Sequence, residues 1–299
     1  MGEYYKMVVT DQGYYMDNIL QSKEHTIAHN LRRDWYIMII VAGSGMVRVG
    51  KSFLAQQFGY YLASILGTKF DINNVVFTSA DLKKQAEKLE KYSVIIYDEA
   101  KTGLDSKKTM TRDFVNTEDF FTVCGKLNHI FILVTPCVFK INRYFAVERS
   151  HYLLNTFVKI NKIEKGGRSL EEWERGYWQW FERTKKNSFL GEFYGKHNPY
   201  RYARKYRNFY GKFPNHNVID NKLYDNKKQL FLDQLAKSVD NPTNKFKDQR
   251  DALIKIMQDK GVNQTEISKL LKEEKQILTQ RAVSHILNGY TKNTPLFRH

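Results

Sequence analysis

Cysteine is scarce: the 299 residues contain two, Cys124 and Cys137. Two thiols exclude a disulfide framework, and both lie in or beside apolar stretches that read as core, so a reducing cytoplasm is the expected compartment. Long hydrophobic runs are missing as well. The longest, Trp35 to Ala42, falls far short of the roughly 20 residues that cross a bilayer, so no membrane-spanning segment is expected and the chain reads as soluble. Met1-Gly2-Glu3 does not begin as a signal peptide begins, and Tyr4, Tyr5 and Lys6 lack the Ser/Thr-bearing pattern of N-myristoylation. Acids are outnumbered, 32 against 48 Lys and Arg, for a formal charge of +16. The excess is concentrated in the C-terminal half. It favours polyanionic partners through long-range attraction and counterion release, nucleic acid before an anionic membrane surface, with a merely solvated surface as the alternative. No internal repeat is present, and no low-complexity segment beyond a connection rich in Asn, Asp and Lys that runs to about Lys247.

What is present alternates. Trp35 to Ala42 is continuously apolar and ends at glycines, as a strand buried on both faces does. A helix is expected from Lys51 to about Leu66, a short strand at Val75 to Phe77, a charged helix from Asp81 to Lys91 and a buried strand from Ser93 to Tyr97. A helix across Asp113 to Lys126, the strand Ile130 to Val134 and a last strand near Tyr152 to Ile160 continue the order. Strand and helix in repetition predict an α/β fold, a parallel sheet flanked by helices with right-handed crossovers. After Gly166-Gly167 the composition changes, which sets the expected divisions. Residues 1–33 are an N-terminal segment, 34–165 the core, 166–248 a basic aromatic segment and linker, and 249–299 a small all-α domain.

Gly45-Met46-Val47-Arg48-Val49-Gly50-Lys51-Ser52 matches G-x-x-x-x-G-K-[ST] without gaps, after an apolar strand and before a helix. Glycines let backbone N–H groups curl around phosphates, and the following helix directs its positive end at the same charge. Lys51 is expected on the β- and γ-phosphates of ATP, and the Ser52 hydroxyl on Mg²⁺. The strand Ser93 to Tyr97 ends in Asp98-Glu99, 47 residues beyond Lys51. A parallel sheet brings both carboxylates to the edge where the phosphate loop lies. Asp98 is the expected magnesium residue and Glu99 the group that orients or deprotonates the attacking water.

The order of phosphate loop, Asp-Glu and a polar residue ending the next apolar strand, Thr135, resembles the P-loop ATPases with an added strand and a catalytic glutamate. That division includes AAA+, RecA-like and FtsK/HerA ATPases. The resemblance implies that the strand carrying Thr135 lies between the other two and that Thr135 senses the γ-phosphate, with Asn128 a weaker candidate. A strand-capping hydroxyl is the other reading of Thr135. Asp34-Trp35 and the stretch Pro136 to His151 look like ATPases of viruses and mobile elements in the FtsK/HerA and zonula occludens toxin-like group, although the transmembrane segment of the toxin-like proteins is absent. By that analogy Arg149 or Arg143 is an arginine finger completing a neighbour's site in a homo-oligomeric ring; a solvated surface arginine is the alternative for each.

Between Arg183 and Lys212 nine Lys and Arg face the single acid Glu192, interleaved with eight Phe or Tyr. Two readings stand. Cations including Arg201, Arg204, Lys205 and Arg207 neutralise nucleic-acid phosphates while the rings stack on exposed bases, or the aromatics pack on the core and the charges face water. From Asp251 the pattern is helical again, stopped at Gly261, resumed from Gln264 to Glu273 and from Thr279 to Leu287. Thr265 to Leu271 followed by Thr279 to Gly289 resembles a helix-turn-helix with a long turn. The resemblance places Gln280, Arg281, Ser284 and His285 in the major groove of DNA; a plain three-helix bundle is the alternative. No Cys or carboxylate has metal-ligand spacing with His285.

Taken together, these features predict an ATP-driven, DNA-acting motor for translocation or packaging in a virus or mobile element, in the host cytoplasm if viral. A helicase loader or initiator of AAA+ type, and a DNA-binding regulator switched by ATP, are the alternatives. No second acidic cluster suggests a two-metal nuclease.

Overall fold

The structure, a computed structural model, describes residues 7–33, 36–46, 48–107, 109, 111–165, 168–196, 199–240, 254–263, 265–267 and 269. The elements in chain order are β1 (Met7–Val9), β2 (Tyr15–Asp17), α1 (Asn18–Leu31), β3 (Ile37–Gly43), α2 (Lys51–Leu66), β4 (Val75–Val76) and α3 (Ser79–Lys88). There follow β5 (Val94–Tyr97), α4 (Lys101–Leu104), α5 (Arg112–Val123), β6 (Ile130–Thr135), β7 (Tyr152–Lys165) and β8 (Arg168–Phe181). The last are α6 (Arg183–Phe193), α7 (Ala203–Tyr206), β9 (Phe209–Lys212) and α8 (Asn221–Asp240). The chain divides into two units, Met1–Phe231 and Leu232–His299.

In the first unit β1 and β2 form a hairpin, and seven strands form one sheet in the order β4-β5-β6-β3-β7-β8-β9. The first five are mutually parallel, and β8 and β9 extend the sheet antiparallel. Every residue of β3, β5 and β6 is buried, the property that made them readable as continuous apolar runs. Pleating sorts their side chains into two cores. Ile37, Ile39 and Val41 join Leu54, Phe58 and Leu62 of α2 and Leu20, Ile27 and Leu31 of α1 on one face. Met38, Ile40 and Ala42 join Leu82 of α3, Phe114 and Phe121 of α5, and Phe189, Leu190 and Phe193 of α6 on the other.

The boundary expected near residue 165 falls between β7 and β8, which pair along their whole length from Leu153 with Phe181 to Lys165 with Arg168. Composition changes there because the strands leave the covered part of the sheet. Near its base the hairpin buries Leu153, Leu154, Trp178 and Trp180, whereas Ile160, Ile163, Leu170 and Trp173 stand exposed further out. From the expected N-terminal segment, Tyr14, Met16, Leu20, Ile27 and Leu31 likewise contribute core side chains to the same unit. The polar connection is not structureless: α8 occupies 20 residues of it. In the second unit residues 254–259 are helical. Gly261, at φ +88°, ends that turn, and Asn263 accepts from the Glu266 N–H at 2.9 Å to cap the next. Ile254 and Ile267 are buried. The third expected helix, with Gln280, Arg281, Ser284 and His285, lies outside the described residues.

Candidate nucleotide site

Parallel pairing of β3, β6 and β5 brings their carboxyl ends to one edge, where Gly43 and Ser44 lead into the loop, Thr135 ends β6 and Asp98-Glu99 follow β5. β6 lies between the strand that precedes the loop and the strand that precedes the carboxylates, the order implied by the resemblance. The loop needs its terminal glycines for backbone reasons. Gly45 and Gly50 sit at φ +79° and +83°, where a side chain is strained, and a Cβ on Gly50 would stand 2.9 Å from the Phe213 ring. Arg48 adopts φ +56° within the loop. Lys51 opens α2, and its stem passes 3.1 Å from the position a Gly43 Cβ would take, so the lysine folds back over the loop. Burial pulls the Lys51 ammonium below its usual pKa and Lys228 adds to this, while the charges of Asp98 and Glu99 oppose both. Among the described residues of the eight-residue motif, Gly45, Met46, Arg48, Val49, Gly50, Lys51 and Ser52 line this turn; Val47 lies outside them.

Asp98 is 2% exposed and accepts a hydrogen bond from the Glu99 N–H at 2.9 Å. Glu99 itself adopts φ +59°, rare for a side chain of its size and a form of strain that concentrates at working sites. The bend is tied down behind it: Ala100 N–H donates to the Val134 carbonyl at 2.9 Å, and the Thr102 hydroxyl to the Glu99 carbonyl at 2.9 Å. A buried carboxylate beside a hydroxyl at the start of a helix is a hard-oxygen donor set that suits Mg²⁺, which keeps most of its other positions for water and phosphate. No group of three or more His, Cys, Asp or Glu that could hold a metal occurs among the described residues, so any magnesium here would lean on Ser52, Asp98 and the nucleotide.

Thr135 is fully buried, and its hydroxyl donates to the Cys137 carbonyl at 3.2 Å and accepts from the Cys137 N–H at 3.4 Å. That is a local cap, while the register places Thr135 beside Ala42 at the site edge. Asn128 precedes β6 and therefore lies at the opposite edge. Arg149 ends a π-helical turn, Tyr144–Arg149, before β7 begins, again at the edge away from the chain's own loop. Its Nε donates to the Tyr144 hydroxyl at 2.5 Å, and its terminal nitrogens reach Tyr36 at 3.5 Å and Thr122 at 3.3 Å. Arg143, at the start of the same turn, is exposed.

Comparison with known proteins adds little to the geometry. No family model matches the chain, and no curated protein matches it. Among solved structures it is similar to the genome packaging NTPase B204 of Sulfolobus turreted icosahedral virus 2 in complex with ATP-gammaS, at 10% identity and a TM-score of 0.32. The overlap covers 51% of this chain and 94% of that one. A likeness of that size carries no residue role to this chain.

The site also holds residues that sequence reasoning passed over. Tyr224, on α8, donates its hydroxyl to the Asp98 carboxylate, with the Ser52 hydroxyl alongside. Burial first, and then the Asp98 charge, push the Tyr224 phenol well above its usual pKa. Lys228, one helical turn on, lies 3.3 Å from Glu99 Oε1. Asn155 of β7 pairs with Ala42 and donates to the Ser44 hydroxyl at 3.2 Å. The available signal for α8 was Tyr224, Lys228 and Phe231 at i, i+4 and i+7, a single face of a helix.

The basic aromatic segment follows its packing alternative for most of its rings. Phe189 and Phe193 are buried, and Tyr194, Tyr200 and Tyr206 pack against the second core. The Tyr200 hydroxyl accepts from the Val138 N–H at 2.9 Å, and that of Tyr194 donates to the Ile141 carbonyl at 3.2 Å. Tyr202 and Tyr210 are the exposed ones, and the Arg207 guanidinium stacks 3.8 Å over Tyr210. Arg201, Arg204 and Lys205 are exposed.

Proposed function

We propose that the protein is a magnesium-dependent ATPase that acts on DNA as a translocating or packaging motor of a virus or mobile element, working as a homo-oligomer. The observation that carries the ATPase part is the meeting of loop and carboxylates at one sheet edge, with Asp98 and Glu99 close enough to Lys51 to act on its charge. Lys51 and the loop N–H groups bind and orient the triphosphate. Glu99, fixed by its left-handed backbone, is the group that takes the proton of the attacking water. Magnesium, held by Ser52 and Asp98, would supply charge neutralisation at the phosphates. The DNA part is supported by the charge of +16 and by the exposed Arg201, Arg204 and Lys205, with the helix-turn-helix resemblance beyond residue 249 as the second contact. A regulator switched by ATP is the second reading, favoured by the α8 side chains that sit on the catalytic carboxylates.

The test is steady-state hydrolysis without nucleic acid, with short duplex, with long duplex and with single strands. A motor gives stimulation that grows with DNA length, whereas length-independent or absent stimulation selects the regulator or a loader. Lys51→Ala and Glu99→Gln are each expected to lower turnover at least about a hundredfold, with Glu99→Gln still retaining nucleotide. Unchanged turnover in either variant removes the catalytic assignment.

A further inference from the structure

The hydroxyl of Tyr224 and the ammonium of Lys228 occupy the two carboxylates on which hydrolysis would depend. Tyr224 donates to Asp98 with Ser52 beside it, so a protein hydroxyl stands among the oxygen donors a magnesium ion would need. Lys228 lies 3.3 Å from Glu99, in a pair whose side chains are 29% and 35% exposed. The Lys228 ammonium thereby occupies an oxygen of the carboxylate that would face the attacking water. Separate contacts hold the helix in this position. Lys227 Nζ donates to the Ile72 and Val75 carbonyls at 2.9 and 2.6 Å, at the strand next to β5. Phe231 stacks on Phe77 at 5.5 Å between ring centroids, and Tyr224 leans on the same ring at 5.8 Å. All of these residues belong to the first unit.

We propose that residues 221–231 form a latch closed on the nucleotide site, in which Tyr224 and Lys228 hold Asp98 and Glu99 and must give them up when magnesium and nucleotide enter. The inference rests on the ATPase reading above and adds its regulation. The anchor is Lys227 with Phe231, and the exchangeable contacts are the two that touch carboxylates. Linkage sets the sign: a group that competes for Asp98 only in the empty site lowers the affinity for the metal-bound nucleotide, and removing it raises that affinity. Nucleotide bound without metal does not draw on Asp98 and is indifferent to the change.

The experiment measures binding of a fluorescent ATP analogue to the full chain, with magnesium and with EDTA, for wild type, Tyr224→Phe, Lys228→Met and Lys51→Ala. Tyr224→Phe keeps the ring that packs on Phe77 and is expected to tighten binding with magnesium about tenfold, the scale of one hydrogen bond to a charged group, and to leave binding in EDTA unchanged. Lys228→Met is expected to raise DNA-independent turnover. Hydrogen exchange at residues 221–231 is expected to speed up when magnesium and ATP-gammaS are added to wild type. If Tyr224→Phe binds as wild type does, or more weakly, while Lys51→Ala loses nucleotide, the latch is wrong and the ATPase reading stands. A loss of turnover in Lys228→Met would make Lys228 a positioning residue for Glu99 and also overturns the latch. If wild type binds no nucleotide in either condition, both readings fall together.

Discussion

Glu24 lies on α1 inside the first core, fully buried, with neither carboxyl oxygen hydrogen-bonded to a described residue. Burial drives its pKa well above the ordinary 4.5, so the folded protein holds this proton where the unfolded chain releases it. The sign follows: stability from this group is complete below the unfolded value and is lost as pH rises toward the folded one. Replacing Glu24 by Leu removes both the stranded oxygens and that proton. We expect Glu24→Leu to stabilise the fold at pH 7 by about 1–3 kcal/mol, the usual cost of an unsatisfied buried polar group. The gain should shrink on acidification toward pH 4.5, which urea unfolding across pH would show. A gain that does not change with pH would mean that the carboxyl does not titrate with folding. The same chemistry explains why Asp98 tolerates burial: it has the Glu99 N–H, Tyr224 and the nearby Lys51 charge, which Glu24 lacks.

Among elements, α6 is held to the turn that carries Arg149 by a buried cation. Lys186 Nζ donates to the Val147 carbonyl at 3.2 Å, to the Ser150 hydroxyl at 2.7 Å and to the Ser150 carbonyl. Burial, followed by the neighbouring Arg183 charge, brings Lys186 down to about 7. Lys186→Met fills similar space but leaves two carbonyls unpaired, so we expect a loss of about 2–4 kcal/mol in thermal or urea unfolding. A loss below about 0.5 kcal/mol, typical of surface sites, would show that the cation does not hold the two elements together. Lys186 also marks what the sequence conceals: among nine cations between Arg183 and Lys212 it reads as one more phosphate contact, yet it is a core residue. The parallel strands β3, β5 and β6 were legible because burial on both faces leaves an unbroken apolar run. β8 was not, since its outer half carries Glu171, Glu172, Glu174 and Arg175, opposite Lys159 and Lys162 of β7, and shows no single apolar face. α8 was hidden for a related reason. It buries a narrow seam whose members at the site are a tyrosine and two lysines, so composition reads it as solvated linker. The meeting of the glycine-rich loop and Asp98-Glu99 at one edge was legible because parallel strands send their carboxyl ends the same way; the helix that touches them obeys no such constraint.

For the whole molecule, the excess of positive charge makes a quantitative demand on the DNA binding proposed above. Each phosphate contact made by a cation releases counterions, so the logarithm of the binding constant falls with the logarithm of salt by about 0.9 per contact on duplex DNA. Arg204 and Lys205 are exposed in the first unit, whereas Gln280 and Arg281 belong to the sequence assigned to the recognition helix. These two sets have different signatures. Arg204→Ala combined with Lys205→Ala removes two cations and should reduce the salt slope by about 2, weakening all duplex sequences alike. Gln280→Ala combined with Arg281→Ala should leave most of the slope but narrow the gap between the preferred and an unrelated sequence, at about 1–3 kcal/mol per lost base contact. Fluorescence anisotropy on duplexes of fixed length between 50 and 200 mM salt, the range over which such contacts separate, distinguishes the two. An unchanged slope in the first pair would place the DNA path away from α7. Equal losses on all sequences in the second pair would make the C-terminal unit a charge contact and remove the basis for a sequence-reading regulator, leaving the motor as the reading that the charge of this chain supports.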